Sequence, residues 1–223
     1  MTQAKFVQAL ALGVDPGFRR LDEATRAAAA RDFLQAQTEL RCQSFSYSMI
    51  GLQPGCDLMF WKLADSLEAL EEDAALTLRS GVGRWLHVRE SLLGVIQPSQ
   101  YVRRPTSQEQ SLFAGERSRY LVVYPFTKST EWYLLGKDAR QGIMNEHIRI
   151  GHDFPQVRQL LANSFGVDDM DFLVAYETDD LPNFGELVRA LRASESRRST
   201  VRDTPILVGR LRPVEQILDM IGA

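Results

Sequence analysis

One order of strand-like and helix-like segments runs twice through this chain, and that repetition narrows the folds open to it. In the first pass, Phe45–Leu52 alternates apolar and polar residues and closes on the turn-forming run at 51–55, GLQPG. Asp57–Lys62 reads as a second strand. Ser66 then opens a helical run to about Leu86, with Glu68 and Leu70 near its start, and Leu92–Val102 returns to strand character. In the second pass Tyr120–Phe126 (YLVVYPF) is a strand, and Lys137–Phe165 reads as helical with an interruption at Pro155. Phe172–Glu177 follows as a strand, Leu181–Arg197 as a helix and Ile206–Arg210 as a strand, with a short amphipathic helix at Val214–Ile221. The polar run Arg103–Arg117 marks the boundary between the passes. Ahead of both, Ala27–Ala30 leads into Phe33 and Leu34 with strong helix formers. The expected division is a helical extension over 1–40, one α+β unit over 41–118 and a second over 119–223. Each unit would lay its helices on one face of a sheet. The halves share element order, not residue-level similarity.

A chain of 223 residues buries roughly 70% of its unfolded surface, so such units need no metal or disulfide staple. Cys42 and Cys56 are the only cysteines; without a CxxC spacing they read as reduced thiols of a cytoplasmic protein. A net charge of −3 argues against a nucleic-acid surface. Apolar runs such as Phe172–Tyr176 are far too short to span a bilayer. Lys5 followed by Phe6–Val14 imitates a secretion signal, but Gln8 interrupts it and Asp15, Arg19 and Arg20 follow. A cytoplasmic location is expected.

Chemistry-bearing residues concentrate in the second half. Steps of three and four place His147 on one helical row with Ile143, Ile150 and Phe154, pointing inward. It is either a satisfied core histidine or an axial metal ligand, since neutral imidazole is the commonest such ligand. His152 falls about 140° around the helix, and His87 has no partner motif. On the next helix Phe184, Leu187, Val188 and Leu191 form a buried row that Glu195 continues. A carboxylate there needs a partner. It either orients a ligating histidine through the second ring nitrogen or lies solvated at the helix end among Arg192, Arg197 and Arg198. Tyr124, Phe126, Trp132 and Tyr133 gather within ten residues around Lys128, as core or as a cofactor-facing cluster.

An ordered set of short motifs covers 119–223: 124–128 (YPFTK), 131–133 (EWY), 144–147 (MNEH), 157–159 (VRQ), 166–171 (GVDDMD), 177–181 (ETDDL) and 204–209 (TPILVG). In this order the set resembles the chlorite dismutase family, heme proteins that include chlorite dismutases and coproheme decarboxylases. Phe45–Arg103 is similar to the family's first half more loosely. The resemblance implies two ferredoxin-like units forming a dimeric α+β barrel within one chain, with heme in the second unit. It also implies assembly into a homo-oligomer, commonly a pentamer. Heme b or iron coproporphyrin III would be bound axially by His147, flanked by Trp132, with Glu195 holding the histidine and Thr204 contacting a propionate.

Two activities follow from the resemblance. Chlorite dismutases carry an arginine on the distal side, which would hold an anionic chlorine oxide by a charge-assisted bond. Gln159 takes that place here, as in some coproheme decarboxylases. The interval from His147 is one residue short, so Arg158 is the alternative occupant. Tyr124 and Lys128 are similar to the decarboxylase pair of radical tyrosine and propionate-binding lysine; on an extended segment they share a face about 13 Å apart. The 177–181 and 204–205 stretches look closer to the dismutase branch. The distal residue weighs more, since chemistry needs it and a surface helix start does not, so peroxide-dependent conversion of iron coproporphyrin III to heme b is the expected reaction. Dismutation of chlorite with an atypical distal glutamine and heme binding without catalysis are the alternatives.

Overall fold

The computed structural model describes residues 5–97 and 116–223; most of the expected boundary run Arg103–Arg117, and the end of the strand expected at Leu92–Val102, lie outside these residues. The chain divides into two compact units, Met1–Ile96 with Val208–Ala223, and Gln97–Leu207. The second unit was expected to keep residues 208–223.

The first unit runs β1 (Phe6–Val14), α1 (Glu23–Gln37), β2 (Gln43–Gln53), β3 (Cys56–Ala64), α2 (Leu67–Arg79) and β4 (Leu86–Val95). Its strands pair antiparallel in the order β4–β1–β3–β2, which is a ferredoxin-like βαββαβ arrangement. The end of β9 (Leu207–Leu211) adds to β2 through Tyr47–Leu211 and Ser48–Arg210. Gly209 is required there: a Cβ would sit 2.7 Å from the Tyr47 Cβ. Asp22 caps α1 by accepting from the Thr25 N–H, and Ser66 caps α2 by accepting from the Ala69 N–H. Leu10, Leu12, Phe33 and Phe60 form the core with Ile217 and Leu218 of the last helix (Val214–Ile221). Each such buried side chain contributes about 1.5–3 kcal/mol.

Residues 1–40 thus contain a helix, α1, but also a strand. Every residue from Ala9 to Val14 is buried, so β1 has no alternation to read, and its Ala/Leu content imitates a helix.

The second unit runs β5 (Tyr120–Lys128), α3 (Thr130–Leu134), α4 (Lys137–His152), β6 (Arg158–Asn163), β7 (Phe172–Thr178), α5 (Leu181–Arg192) and β8 (Thr200–Arg202). The antiparallel order β6–β7–β5–β8 repeats the ferredoxin-like plan. With α6 naming Val214–Ile221, the chain is α+β throughout. Two expectations fail here for local reasons. The helix from Lys137 stops at His152, because Pro155 lacks an N–H, and residues 158–163 form β6 instead. The helix from Leu181 ends at Arg192 and gives way to a 3-10 turn over Glu195–Ser199, so helical phase cannot be carried to Glu195. Among the described residues no helix is long and apolar enough to cross a membrane.

Candidate functional site

Strand alternation sorts the second unit's side chains onto two faces. Gln159 lies opposite Tyr176, and Tyr124 opposite Val174, which puts Tyr124, Gln159 and Tyr176 on one face. Helix α5 packs on that face, with Phe184 5.2 Å from the Tyr176 ring. Arg158, Leu160 and Glu177 occupy the other face. The two candidates for the distal place therefore point in opposite directions, because the segment is a strand and not the expected helix.

Arg158 is anchored on its own side. One guanidinium nitrogen lies 2.7 Å from Glu177 Oε2 and donates to the Ser118 hydroxyl at 2.9 Å; another donates to the Glu116 carbonyl at 2.8 Å. Arg117 adds a second cation 3.6 Å from Glu177 Oε1. Glu177 is fully buried, so two guanidiniums share one desolvated carboxylate.

On the helix-covered face, the Tyr124 and Tyr176 rings stack with centroids 6.1 Å apart. Burial raises the pKa of both phenols, that of Tyr124 well above its ordinary value with the neighbouring Tyr176 adding to it, so both stay protonated. Tyr124 borders a pocket of about 190 Å³ with Phe184, Val188, Arg192 and Asp203. Asp203 pairs with Arg197 at 2.5 Å and with Arg192 at 3.7 Å.

A second group of residues converges on the 3-10 turn after α5. A register shift between Thr127 and Lys128 ends β5; such irregularities re-aim a side chain. The Lys128 ammonium donates to the Ser196 carbonyl at 2.8 Å and stands 4.5 Å over the ring of Trp132, which is itself buried. Burial, with help from Arg197, lowers the lysine pKa to about 8. His147 Nδ1 lies 3.1 Å from the Ser196 hydroxyl. Burial first and Lys128 second push its imidazole down to about 4, so it is neutral at physiological pH. Its other ring nitrogen, Nε2, has no protein hydrogen-bond partner among the described residues. A neutral imidazole with one nitrogen held and the other available fits the axial ligand of a porphyrin iron. Among the described residues no three His, Cys, Asp or Glu groups converge on a site for a metal ion.

The structure thus joins His147, Lys128 and Trp132, and sets Tyr124 and Gln159 on a common face. It does not bring in Glu195. That carboxylate is exposed, 3.4 Å from Arg198, while its backbone N–H donates to Glu146 at 3.1 Å. The expected row ended with the helix, and the partner of His147 is Ser196. Thr204 also stands apart: it is exposed, and its carbonyl accepts from Arg202 Nε at 3.0 Å. Sequence reasoning missed Ser196, Tyr176 and the Arg158–Glu177 pair. Only the strand alternation of 172–178 could have flagged Tyr176, since a serine in a turn carries no signal of its own. His87 and His152 are exposed, the former 3.2 Å from Asp15.

Comparison with known proteins bears on the family. A family model described as chlorite dismutase matches residues 23–212. The coproheme decarboxylase of Mycolicibacterium smegmatis is 31% identical over 174 residues, covering 77% of this chain and 74% of that protein. The chlorite dismutase of Ideonella dechloratans is 28% identical over 148 residues, 63% of this chain and 52% of that one. A crystal structure of a variant chlorite dismutase from Candidatus Nitrospira defluvii superposes with a TM-score of 0.90 at 28% identity, over 100% of this chain and 98% of that one.

Proposed function

The chain belongs to the chlorite dismutase family, whose members are heme-dependent enzymes, and we propose that within it this protein is a coproheme decarboxylase. The observation that carries the reading is the facing of β6. Gln159, a neutral amide, shares the helix-covered face with Tyr124, while Arg158 is held to Glu177 on the other. A site for a chlorine-oxide anion wants a cation where this chain has an amide. A site that oxidises a propionate wants a protonated phenol nearby, which Tyr124 supplies.

In this reading iron coproporphyrin III is the substrate, which His147 would hold through Nε2 and Trp132 would flank with apolar surface. Hydrogen peroxide is the oxidant. Each propionate –CH2CH2COO⁻ becomes –CH=CH2 and CO2, releasing one proton and two electrons; one peroxide takes up the two electrons, that proton and a second proton from solvent to give two waters. Tyr124 relays electrons singly from the propionate, and the Lys128 ammonium orients the carboxylate by a charge-assisted bond. Gln159 would offer a neutral hydrogen-bond donor on the face it shares with Tyr124. Thr204 is assigned no role, because it is exposed and turned to Arg202. The free, buried thiols of Cys42 and Cys56 support a reducing, cytoplasmic setting. Exposed Leu134, Phe165 and Val201 support a homo-oligomer, for which the family resemblance suggests a pentamer.

Mass spectrometry of the porphyrin, after the protein receives iron coproporphyrin III and then peroxide, tests the reading. Stepwise loss of both carboxyl groups, abolished in Tyr124→Phe, is the expected result. A porphyrin that is bound and left unchanged overturns it. The whole-chain likeness to a chlorite dismutase favours one second reading, for which oxygen release from chlorite at useful rates is the sign.

A further inference from the structure

We propose that the first unit carries a ligand site of its own, in the pocket between α2 and strands β1 and β4, and that it takes a short aliphatic amino alcohol, with the ammonium at Glu68 and Glu71 and the hydroxyl at Gln8. Its residues all belong to the first unit and are distinct from those assigned to the porphyrin, so it stands or falls apart from the heme reading.

The inner wall follows from strand register. Gln8 lies opposite Leu93 of β4 on one side and Lys62 of β3 on the other, and Leu10, two residues on, lies opposite Ser91. Opposed and alternate residues share a face, so Gln8, Ser91, Leu93 and Lys62 stand on the face that carries Leu10. Further along, that face is closed, because Leu10, Leu12 and Phe60 join one core with Phe33 of α1 and Ile217 of α6. At Gln8 it is open: α2 roofs a pocket of about 410 Å³, with Leu70 on the helix side and Leu93 on the sheet side. A pocket of that size takes a small molecule.

The polar groups at the two ends decide what fits. Gln8 donates from Nε2 to Ser91 Oγ at 3.1 Å, which leaves its Oε1 buried with no hydrogen-bond partner among the described residues. Lys62 is 0% exposed, and its ammonium likewise has no hydrogen-bond partner among the described residues. An acceptor and a donor thus sit unsatisfied on directly opposed residues, and burying such groups without partners is costly. A hydroxyl answers both, accepting from Lys62 and donating to Gln8 Oε1, whereas a second ammonium there would meet the Lys62 charge. At the mouth the requirement reverses. Glu68 and Glu71 are exposed three residues apart on α2, where like charges repel. The helix start favours Glu68, but Glu71 lies a turn further on. Glu72, outside the pocket, pairs with Arg41, and Asp73 accepts from two backbone N–H groups. Glu68 and Glu71 have no ion-pair partner among the described residues, so the acids at the pocket are the ones that lack a cation. Between the two ends, Leu67, Leu70 and Leu93 offer apolar surface to an alkyl chain.

Proton–nitrogen correlation spectra of the full-length protein, titrated with an amino-pentanol whose amine and hydroxyl sit at opposite ends, test the site. Saturating shifts are expected at Leu67 and Glu71 of α2 and at Ser91 and Leu93 of β4. Glu71→Gln should weaken binding about two- to fivefold, as loss of an exposed ion pair does. Gln8→Leu should weaken it about two- to tenfold, as loss of one hydrogen bond does. Glu72→Gln, whose carboxylate is turned to Arg41, should leave the affinity unchanged. Cadaverine, the diamine of the same chain length, should bind less tightly than the amino alcohol, and that preference should vanish in Lys62→Met. An absence of saturating shifts at these residues would mean that solvent alone fills the pocket, and would overturn the proposal. So would equal binding of the hydroxy acid of the same length, a wild type that prefers cadaverine, or an affinity unchanged in Glu71→Gln and Gln8→Leu alike.

Discussion

Replacing Glu177 by glutamine should destabilise the second unit more than most single changes in this chain. Its carboxylate is fully buried, with Arg158 at 2.7 Å and Arg117 at 3.6 Å. The Arg117 side chain is only 4% exposed and that of Arg158 20%, so neither guanidinium can turn to water without moving the chain. Removing one member of a buried pair costs about 3–5 kcal/mol, mostly from the charge left behind. Glutamine keeps one acceptor oxygen, which puts Glu177→Gln near 3 kcal/mol and Glu177→Leu near 5 kcal/mol. Arg158 keeps its bonds to the Glu116 carbonyl and the Ser118 hydroxyl, which argues against a larger value. In a chain of this length each kcal/mol moves the melting temperature by about 2–4 °C. Differential scanning calorimetry should therefore find Glu177→Gln melting about 6–12 °C below the wild type. An Arg158→Gln, Glu177→Gln double variant should recover part of that loss, because one stranded charge is gone. A single variant that melts with the wild type would refute the reasoning. It would mean that Glu177 does not hold Arg158, and the anchoring that keeps arginine away from the Tyr124 face would lose its basis.

Acid should weaken the fold partly through His147, whose imidazole titrates near 4 when folded against about 6.5 unfolded. The unfolded chain binds the proton first, so this contribution is complete above pH 6.5 and lost as the pH falls toward 4, up to about 3 kcal/mol. Denaturant titrations of His147→Gln across that window should show a flatter acid limb; an identical limb would contradict the assignment. Lys62→Met should stabilise the first unit by about 1–3 kcal/mol. The Lys62 ammonium is buried with no hydrogen-bond partner among the described residues, burial lowers its pKa, and Asp73 keeps its bonds to the Arg41 and Cys42 N–H groups. Thermal melts at neutral pH check the sign, and a lower melting temperature would mean that the ammonium has a partner the contacts do not reveal. Gln159→Arg places a cation on the Tyr124 face, so oxygen release from chlorite should rise while porphyrin decarboxylation falls. No change in either rate would remove Gln159 from the site.

Legibility in the sequence followed the length over which a pattern persists. β2, β3, β5, β7 and α6 each present a full stretch of alternation, continuous burial or amphipathic period, and their expected bounds fall within a few residues of the observed ones. β1 carries as many residues as β5 but is buried on both sides from Ala9 onward, and a strand without a polar face has no period to count. β8, three residues long, is too short to show one. The stretch 153–163 was misassigned because the apolar residues Phe154, Val157 and Leu161 happen to continue the phase of α4 beyond Pro155. Backbone chemistry outranked periodicity there: proline removes a donor, and the chain re-enters as a strand.

The same limit explains the candidate site. Of the residues gathered there, the helical row marked His147 out, whereas Trp132 and Lys128 carried a role only through the family resemblance. Glu195 and Ser196 are adjacent, and a continued helix favours the first, since its position prolongs the row of Leu187 and Leu191. Ending the helix at Arg192 changes the outcome: the 3-10 turn buries Ser196 against His147 and leaves Glu195 exposed toward Arg198. One turn of helix thereby decides whether the imidazole meets a carboxylate or a hydroxyl. Lengthening α5 so that Glu195 rejoined the apolar row would need a partner for a desolvated charge, and the nearest carboxylate, that of Glu146, would repel it. The Glu195 N–H donates to that same Glu146 carboxylate, so the acid beside His147 itself supports the turn that keeps a second carboxylate out.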